Sequence, residues 1–258
     1  MLALHVEVFA VAKIGLIGGS GLEKSELLKG ASRISVTTPY GEPSSELTLG
    51  TIDNVEVILI ARHGDNHQFS PTEVNYRANI SALKEQGVSR ILATTACGSL
   101  RAEIERGDFI ILDQFIDFTR HRINTFFESF ADGSTHQGMA DPFDNDLRKL
   151  LIQSANKFGF PVHETGTVVT IEGPRFSTRA ESRMFRLLGA DVINMSIASE
   201  AILANELEIP YAAIAMSTDY DCWKEDEPPV SWEEIMEVFG QNAINVGKVL
   251  VDVIPNIL

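Results

Sequence analysis

The sequence predicts a single α/β domain built on a mainly parallel or mixed sheet. Short apolar runs alternate with capped, helix-length segments, the pattern of strands joined by crossover helices. No repeat, low-complexity block or Pro/Gly/Ser linker divides the 258 residues. Small or charged polar clusters follow the apolar runs, at the strand edge where open α/β sheets bind ligands.

Lys13 to Ile17 (KIGLI) reads as the first strand and runs into Gly18-Gly19-Ser20-Gly21. Val55 to Ala61 (VEVILIA) is the second, ending at Arg62-His63-Gly64. Ser70-Pro71-Thr72-Glu73 predicts a helix start, with Ser and Glu spaced as a capping box and Pro at the first helical position. Gly87 stops that helix. Arg90 to Thr94 is a third strand, followed by Thr95-Ala96-Cys97-Gly98, and Phe109 to Gln114 a fourth. Residues His121 to Met139 lack periodicity and predict a long loop, a length associated with function or motion. Asp144 caps a helix to about Phe158, closed by Gly159. Thr167 to Ile171 is β-branched throughout and reads as a strand meeting Glu172-Gly173-Pro174-Arg175-Phe176. Thr178 to Glu181 spells another capping box, for a helix ending near Gly189. Asp191 to Asn194 is a short strand meeting Met195-Ser196, and a helix from about Ser199 to Leu207 follows. Tyr211 to Trp223 (YAAIAMSTDYDCW) begins as a charge-free run preceded by Pro210, the look of a strand buried on both faces. It ends in two acids, Asp219 and Asp221. Ser231-Trp232-Glu233-Glu234 caps the C-terminal helix.

With 44% hydrophobic residues the chain can bury a sizeable core. Its 36 acidic and 21 basic residues give a formal charge of −15, which disfavours nucleic acid and anionic membranes as partners. Any anion site must therefore be built locally. Two cysteines, Cys97 and Cys222, are too few for a disulfide framework and suit a reducing compartment. Residues 1–11 read as an N-terminal extension ahead of a domain from Ala12 to Leu258. They lack a basic n-region and a cleavage pattern, and no stretch has transmembrane length, so the cytoplasm is expected.

Five strand ends carry the candidate chemistry: Ser20, Arg62-His63, Thr95-Ala96, Met195-Ser196 and Asp219 with Asp221. The glycine loop at Gly18 to Gly21 offers backbone N–H groups to an anion. It is neither a Walker loop nor a dinucleotide fingerprint, and alone it reads more readily as a plain strand-to-helix turn. Joined to Arg62, Thr95 and Ser196 it suggests a phosphate pocket with a guanidinium fork, hydroxyls and amides. Metal-ligand spacing is absent, because His63 and His67 precede the predicted cap at Ser70 and do not share a helical face. A nucleophile elbow is absent too. Phe176 suits stacking on a planar ring and suits an ordinary core equally well. Position alone leaves Asp219 and Asp221 as either a ligand edge or a turn after a strand.

The motifs GGSGL, ARHG with NYRANI, TTACGSL, DQFID, TIEGPRFS with RAES, and ADVINMS with TDYDCW occur in that order. Together they resemble the purine nucleoside phosphorylase family, in particular its methylthioadenosine-cleaving branch. The resemblance runs from Ala12 onward. It implies one α/β domain around a mixed, distorted sheet, assembled as a homotrimer, with pairing of trimers into hexamers left open. It implies phosphorolysis, in which phosphate attacks the ribosyl C1′ and releases the purine. Phosphate is then a co-substrate, and neither cofactor nor metal is expected. By motif match Ser20, Arg62, His63, Thr95, Ala96 and Ser196 bind phosphate. Met195 lies against the ribose, Phe176 stacks near the nucleoside, and Asp219 and Asp221 face the purine. Trp232, Ile235 and Met236 occupy the place matching the 5′ pocket, which His136 of the long loop reaches in a neighbouring subunit. In that family Ala198-Ser199-Glu200 is usually Val-Pro-Glu.

A protonated Asp219 donating to N7 and an ionised Asp221 accepting from the N6 amine predict adenine over 6-oxopurines. Adenosine or inosine phosphorolysis, hydrolysis by water, and a catalytically silent nucleotide binder are the competing readings.

Overall fold

The computed structural model describes residues 12–18, 27–131, 133–226 and 232–257, with positions 232–237, 239 and 241 described by backbone alone. The N-terminal extension and Ser20 lie outside the described residues, as do the side chains of Trp232, Ile235 and Met236.

Among the described residues eleven strands form one mixed sheet. Strand β1 (Lys13–Gly18), the edge strand β2 (Lys29–Ile34), β3 (Leu47–Ile52) and β4 (Val55–Ala61) make one wing in the order β2-β3-β4-β1. The sequence reading passed over β2, because every one of its first five residues is exposed and no apolar face marks it. Strand β5 (Val88–Ser99) is the pivot. It runs parallel to β1 as far as Ala93, then takes the antiparallel β10 (Val192–Asn194) at Gly98 and Ser99. Its other edge carries the parallel β11 (Tyr211–Tyr220) along Ile91 to Ser99. The far wing continues from β10 to β9 (Thr167–Ile171) and β7 (Gln114–Phe118). Strand β6 (Phe109–Ile111) pairs with β11 and with β8 (Val162–His163).

Several element boundaries differ from the sequence reading. The third strand does not stop at Thr94: partners on both edges carry β5 through to Ser99, so Thr95 and Ala96 are strand residues. The predicted fourth strand is two, because the chain leaves β11 after Ile111 and joins β9 at Gln114. The helix expected at Ser70 starts at Tyr76. Ser70 O accepts from the N–H groups of Glu73 and Val74, closing one turn, and Asn75 then caps the helix through Ala78 N.

Helices α1 (Tyr76–Glu85) and α4 (Ile197–Glu206) cover one face of the sheet; α2 (Asn145–Lys157) and α5 (Trp232–Val253) cover the other. Strand β11 feeds both cores, with Tyr211, Ala213 and Ala215 in one and Ala212, Ile214 and Met216 in the other. That two-sided burial explains its charge-free sequence. Asp144 caps α2, and Thr178 with Glu181 forms the expected capping box on α3 (Arg179–Leu187). Residues between β7 and α2 hold the long loop, rooted by Glu206, which accepts from Thr125 Oγ1 and Phe126 N at 2.7 Å each. No described helix is long and apolar enough to cross a membrane.

Candidate active site

The split of the sheet at β5 creates the site. The register with β1 ends at Ala93 and that with β10 starts at Gly98, so Thr94 to Cys97 border a gap on that edge. A cavity of about 560 Å³ opens there. Arg62, His63, Thr95, Ala96, Phe176, Met195, Ser196, Asp219 and Asp221 all line it, from four strand ends and the turn after β9.

Arg62 is 1% exposed. Its backbone extends the β4 ladder by donating to Gly18 O, and its guanidinium turns inward. Nε and Nη2 grip both carboxylate oxygens of Glu200 on α4, and Nη1 donates to Thr94 O at 2.8 Å. Tyr211 Oη donates to Glu200 Oε2 at 2.8 Å. Burial pulls the Arg62 pKa down, but the Glu200 charge outweighs it, and the guanidinium stays fully ionised. A fork anchored on three of its five N–H donors is held flat, with its remaining edge for an anion.

Ser196 is the N-cap residue of α4, yet its side chain makes no capping bond. The hydroxyl sits at a helix N-terminus inside the cavity, where backbone N–H groups and the helix dipole favour an anion. Thr95 Oγ1 accepts from Asn194 Nδ2 at 3.2 Å, and Asn194 Oδ1 accepts from Thr170 Oγ1 at 2.8 Å. This buried chain fixes Thr95 against β10. His63 Nδ1 lies 3.0 Å from Phe69 O, a carbonyl, so that nitrogen carries the hydrogen. His63 and His67 stack at 4.6 Å between centroids without sharing a helix. Phe176 is half exposed along the cavity, and Met195 O accepts from Tyr76 Oη at 3.3 Å.

At the other end a β-bulge aims the acids. Ser217 pairs with Cys97, but Asp219 pairs with Gly98, so one extra residue, Thr218, is inserted. In an unbroken strand Asp219 shares the face of Ser217; the slip moves it to the opposite one. Gly98 leaves that face open, since a Cβ there would stand 3.3 Å from Asp219 Oδ2 and 3.2 Å from Ile193 Cγ2. Thr218 Oγ1 lies 2.8 Å from Asp219 Oδ1 and 3.2 Å from Cys97 O, which fixes one carboxylate oxygen. Asp219 is 9% exposed, and its pKa is pushed up to about 6, mainly by burial, with Asp221 adding to the shift against Thr218. Burial also raises Asp221, against the hydroxyls of Ser182 and Ser177 and the Cys222 N–H. Asp221 Oδ2 and those two hydroxyls are buried without a partner in hydrogen-bonding geometry. Buried polar groups are rarely left so; Asp221 and Ser177 line the cavity, where a polar ligand edge would complete them, whereas Ser182 lies behind that wall.

One end of the cavity thus suits an anion, and the other offers a protonatable acid beside unsatisfied polar groups. His136 lies outside this wall, exposed on the long loop, its ring edge-on to Phe130 at 5.4 Å. Among the described residues no group of three or more His, Cys, Asp or Glu could hold a metal. Sequence reasoning missed Glu200 as a site residue, although a lone acid in the otherwise apolar IASEAILA was a usable signal. It also missed Thr218, Asn194 and Gly98, whose roles depend on the bulge and on the neighbouring strand.

The description phosphorylase superfamily fits residues 13–255. An S-methyl-5′-thioadenosine phosphorylase of Danio rerio is 50% identical over 248 residues, covering 95% of this chain and 89% of the relative. One of Thermofilum pendens is 49% identical over 245 residues, covering 95% and 92%. A methylthioadenosine phosphorylase of Schistosoma mansoni, solved in complex with adenine, superimposes with a TM-score of 0.90 at 40% identity, covering 95% of this chain and 91% of that one. Fold, cavity and these likenesses agree along nearly the whole length, and the chain belongs to the phosphorylase superfamily.

Proposed function

We propose that the chain catalyses phosphorolysis of 5′-methylthioadenosine, giving adenine and 5-methylthioribose 1-phosphate. The observation that carries this reading is one cavity with an anchored guanidinium at one end and a desolvated, protonatable acid at the other. Relatives named for this activity and a Schistosoma mansoni structure in complex with methylthioadenosine support it.

Phosphate binds to Arg62, His63, Thr95, the Ala96 backbone and Ser196, with Ser20 in the adjoining glycine loop. One phosphate oxygen attacks C1′ from the face opposite the base, and the C1′–N9 bond breaks with its electron pair moving to the purine. Positive charge grows on the ribose beside the phosphate, which stabilises it. Negative charge grows on the base, and Asp219 relieves it by giving its proton to N7. Asp221 accepts from the N6 amine, a hydrogen bond that a 6-oxopurine cannot supply. Met195 packs on the ribose and Phe176 on the nucleoside. No cofactor takes part. The working form is a homotrimer in the cytoplasm, in which the loop bearing His136 and the helix bearing Trp232, Ile235 and Met236 enclose the 5′ group.

Phosphate-dependent turnover of methylthioadenosine, adenosine and inosine tests the proposal. Cleavage of the first that requires phosphate, with inosine at least about a hundredfold slower, is expected. Fast inosine cleavage would overturn the acid-pair logic, and undiminished activity without phosphate would make the enzyme a hydrolase.

A further inference from the structure

The bulge that aims Asp219 needs something to hold it, because an inserted residue leaves the ladder locally disrupted. Its outer edge carries a second set of bonds. Strand β6 pairs with β11 up to Phe109 opposite Met216, and the turn before β6 prolongs that ladder. Ser217 N donates to Asp108 O at 2.9 Å, and Gly107 N donates to Ser217 O at 2.8 Å. Ser217 is thereby bracketed from outside while Thr218 and Asp219 are displaced towards β5 on the inside.

The turn itself is closed by the Asp108 side chain. Its Oδ2 accepts from Glu105 N at 2.9 Å and lies 2.8 Å from His163 Nε2 on β8, while its backbone N–H donates to Glu105 O at 3.2 Å. Asp108 is 9% exposed, unusual for a turn carboxylate, and it is not among the residues that line the cavity. From α5, Asn242 Nδ2 reaches the same Ser217 O at 3.4 Å. One buried residue thus ties a turn to a two-residue strand through its side chain, and to the bulge next to the base-facing acid through its main chain.

We infer that Asp108 is a positioning residue for Asp219, setting the direction of its carboxyl through the main-chain bracket on Ser217. The inference rests on the proposed role of Asp219 at purine N7. Loss of the bracket lets β11 slide back into regular register, which turns Asp219 towards the other face.

Titration calorimetry of the full chain with adenine and with 7-deazaadenine, both with saturating phosphate, tests this. The two bases differ at the single atom that Asp219 addresses. Wild type is expected to prefer adenine by about tenfold or more, the cost of leaving a buried donor without its acceptor. Asp108→Ala should cut that preference to below about threefold, and Asp108→Asn, whose Oδ1 still accepts from Glu105 N–H, should restore it. His163→Ala removes only the outer partner and should lower the preference by at least about threefold. A lost melting temperature with an intact preference is what a merely structural role predicts. Wild-type preference in Asp108→Ala, or in His163→Ala should the former not fold, overturns the inference. A wild type that shows no preference refutes the role of Asp219 instead.

Discussion

Replacing Asp219 by Asn should slow the enzyme and stabilise the protein at the same time. Asp219 is 9% exposed, and its pKa stands at about 6 against an ordinary 3.8. The native state therefore holds that proton more tightly than the unfolded chain does. The associated stability is complete below about pH 4 and lost as pH rises through about 6. At 1.36 kcal/mol per pKa unit the difference is about 3 kcal/mol, the cost of keeping the charge desolvated at neutral pH. Asn keeps the shape and a hydrogen-bond donor but carries neither charge nor transferable proton. At pH 8 the ligand-free variant should melt about 6 °C or more above wild type, and the gap should close near pH 4. Turnover of the nucleoside should fall by about two orders of magnitude or more, the range for losing a general acid. The wild-type kcat/KM should decline above about pH 6, and the variant should lack that decline. Phosphate ionisation is common to both proteins, so the difference between the two profiles isolates Asp219. Thermal melts at the two pH values and a pH–rate series make the measurement. A variant that melts below wild type at pH 8 would refute the desolvated-charge argument, and turnover within tenfold of wild type would refute the acid role.

Glu200→Gln leaves Arg62 buried without its counter-charge. Urea unfolding should show a loss of about 3–5 kcal/mol, and the KM for phosphate should rise more than about tenfold. Gly98→Ala puts a methyl 3.3 Å from Asp219 Oδ2 and 3.2 Å from Ile193 Cγ2. Nucleoside kcat/KM should drop by about tenfold while the phosphate KM holds, because the displacement is confined to the base end. Asp221→Asn swaps an acceptor-only carboxylate for an amide that also donates. The ratio of adenosine to inosine kcat/KM should shrink by about tenfold or more, read from initial rates.

Local chemistry was enough to read much of the chain. Asp144 and the Thr178–Glu181 box cap helices within a residue of their predicted starts because capping is a bond between near neighbours. VEVILIA and TVVTI are strands at their predicted bounds because apolar, β-branched runs have few other ways to be buried. Ser70 misled for the same reason. Half of its box to Glu73 forms, with Ser70 N donating to Glu73 Oε2 at 3.1 Å, but Glu73 N donates to Ser70 O, which closes a single turn, and Asn75 starts the helix instead.

The sequence by itself therefore determined the class of fold, most of the elements and which strand ends carry polar groups. Tertiary structure decided how those ends become a site. Thr95 to Cys97 border a cavity because β1 leaves β5 at Ala93 and β10 arrives only at Gly98, a fact about pairing between distant segments. Arg62 is held as a fork because Glu200, 138 residues away, folds back beneath it. Asp219 faces that cavity because one inserted residue reverses its side, and period-two alternation along YAAIAMSTD gives no sign of it. Strand identity is written in nearest neighbours, whereas register and burial are set by partners that meet only in the folded chain.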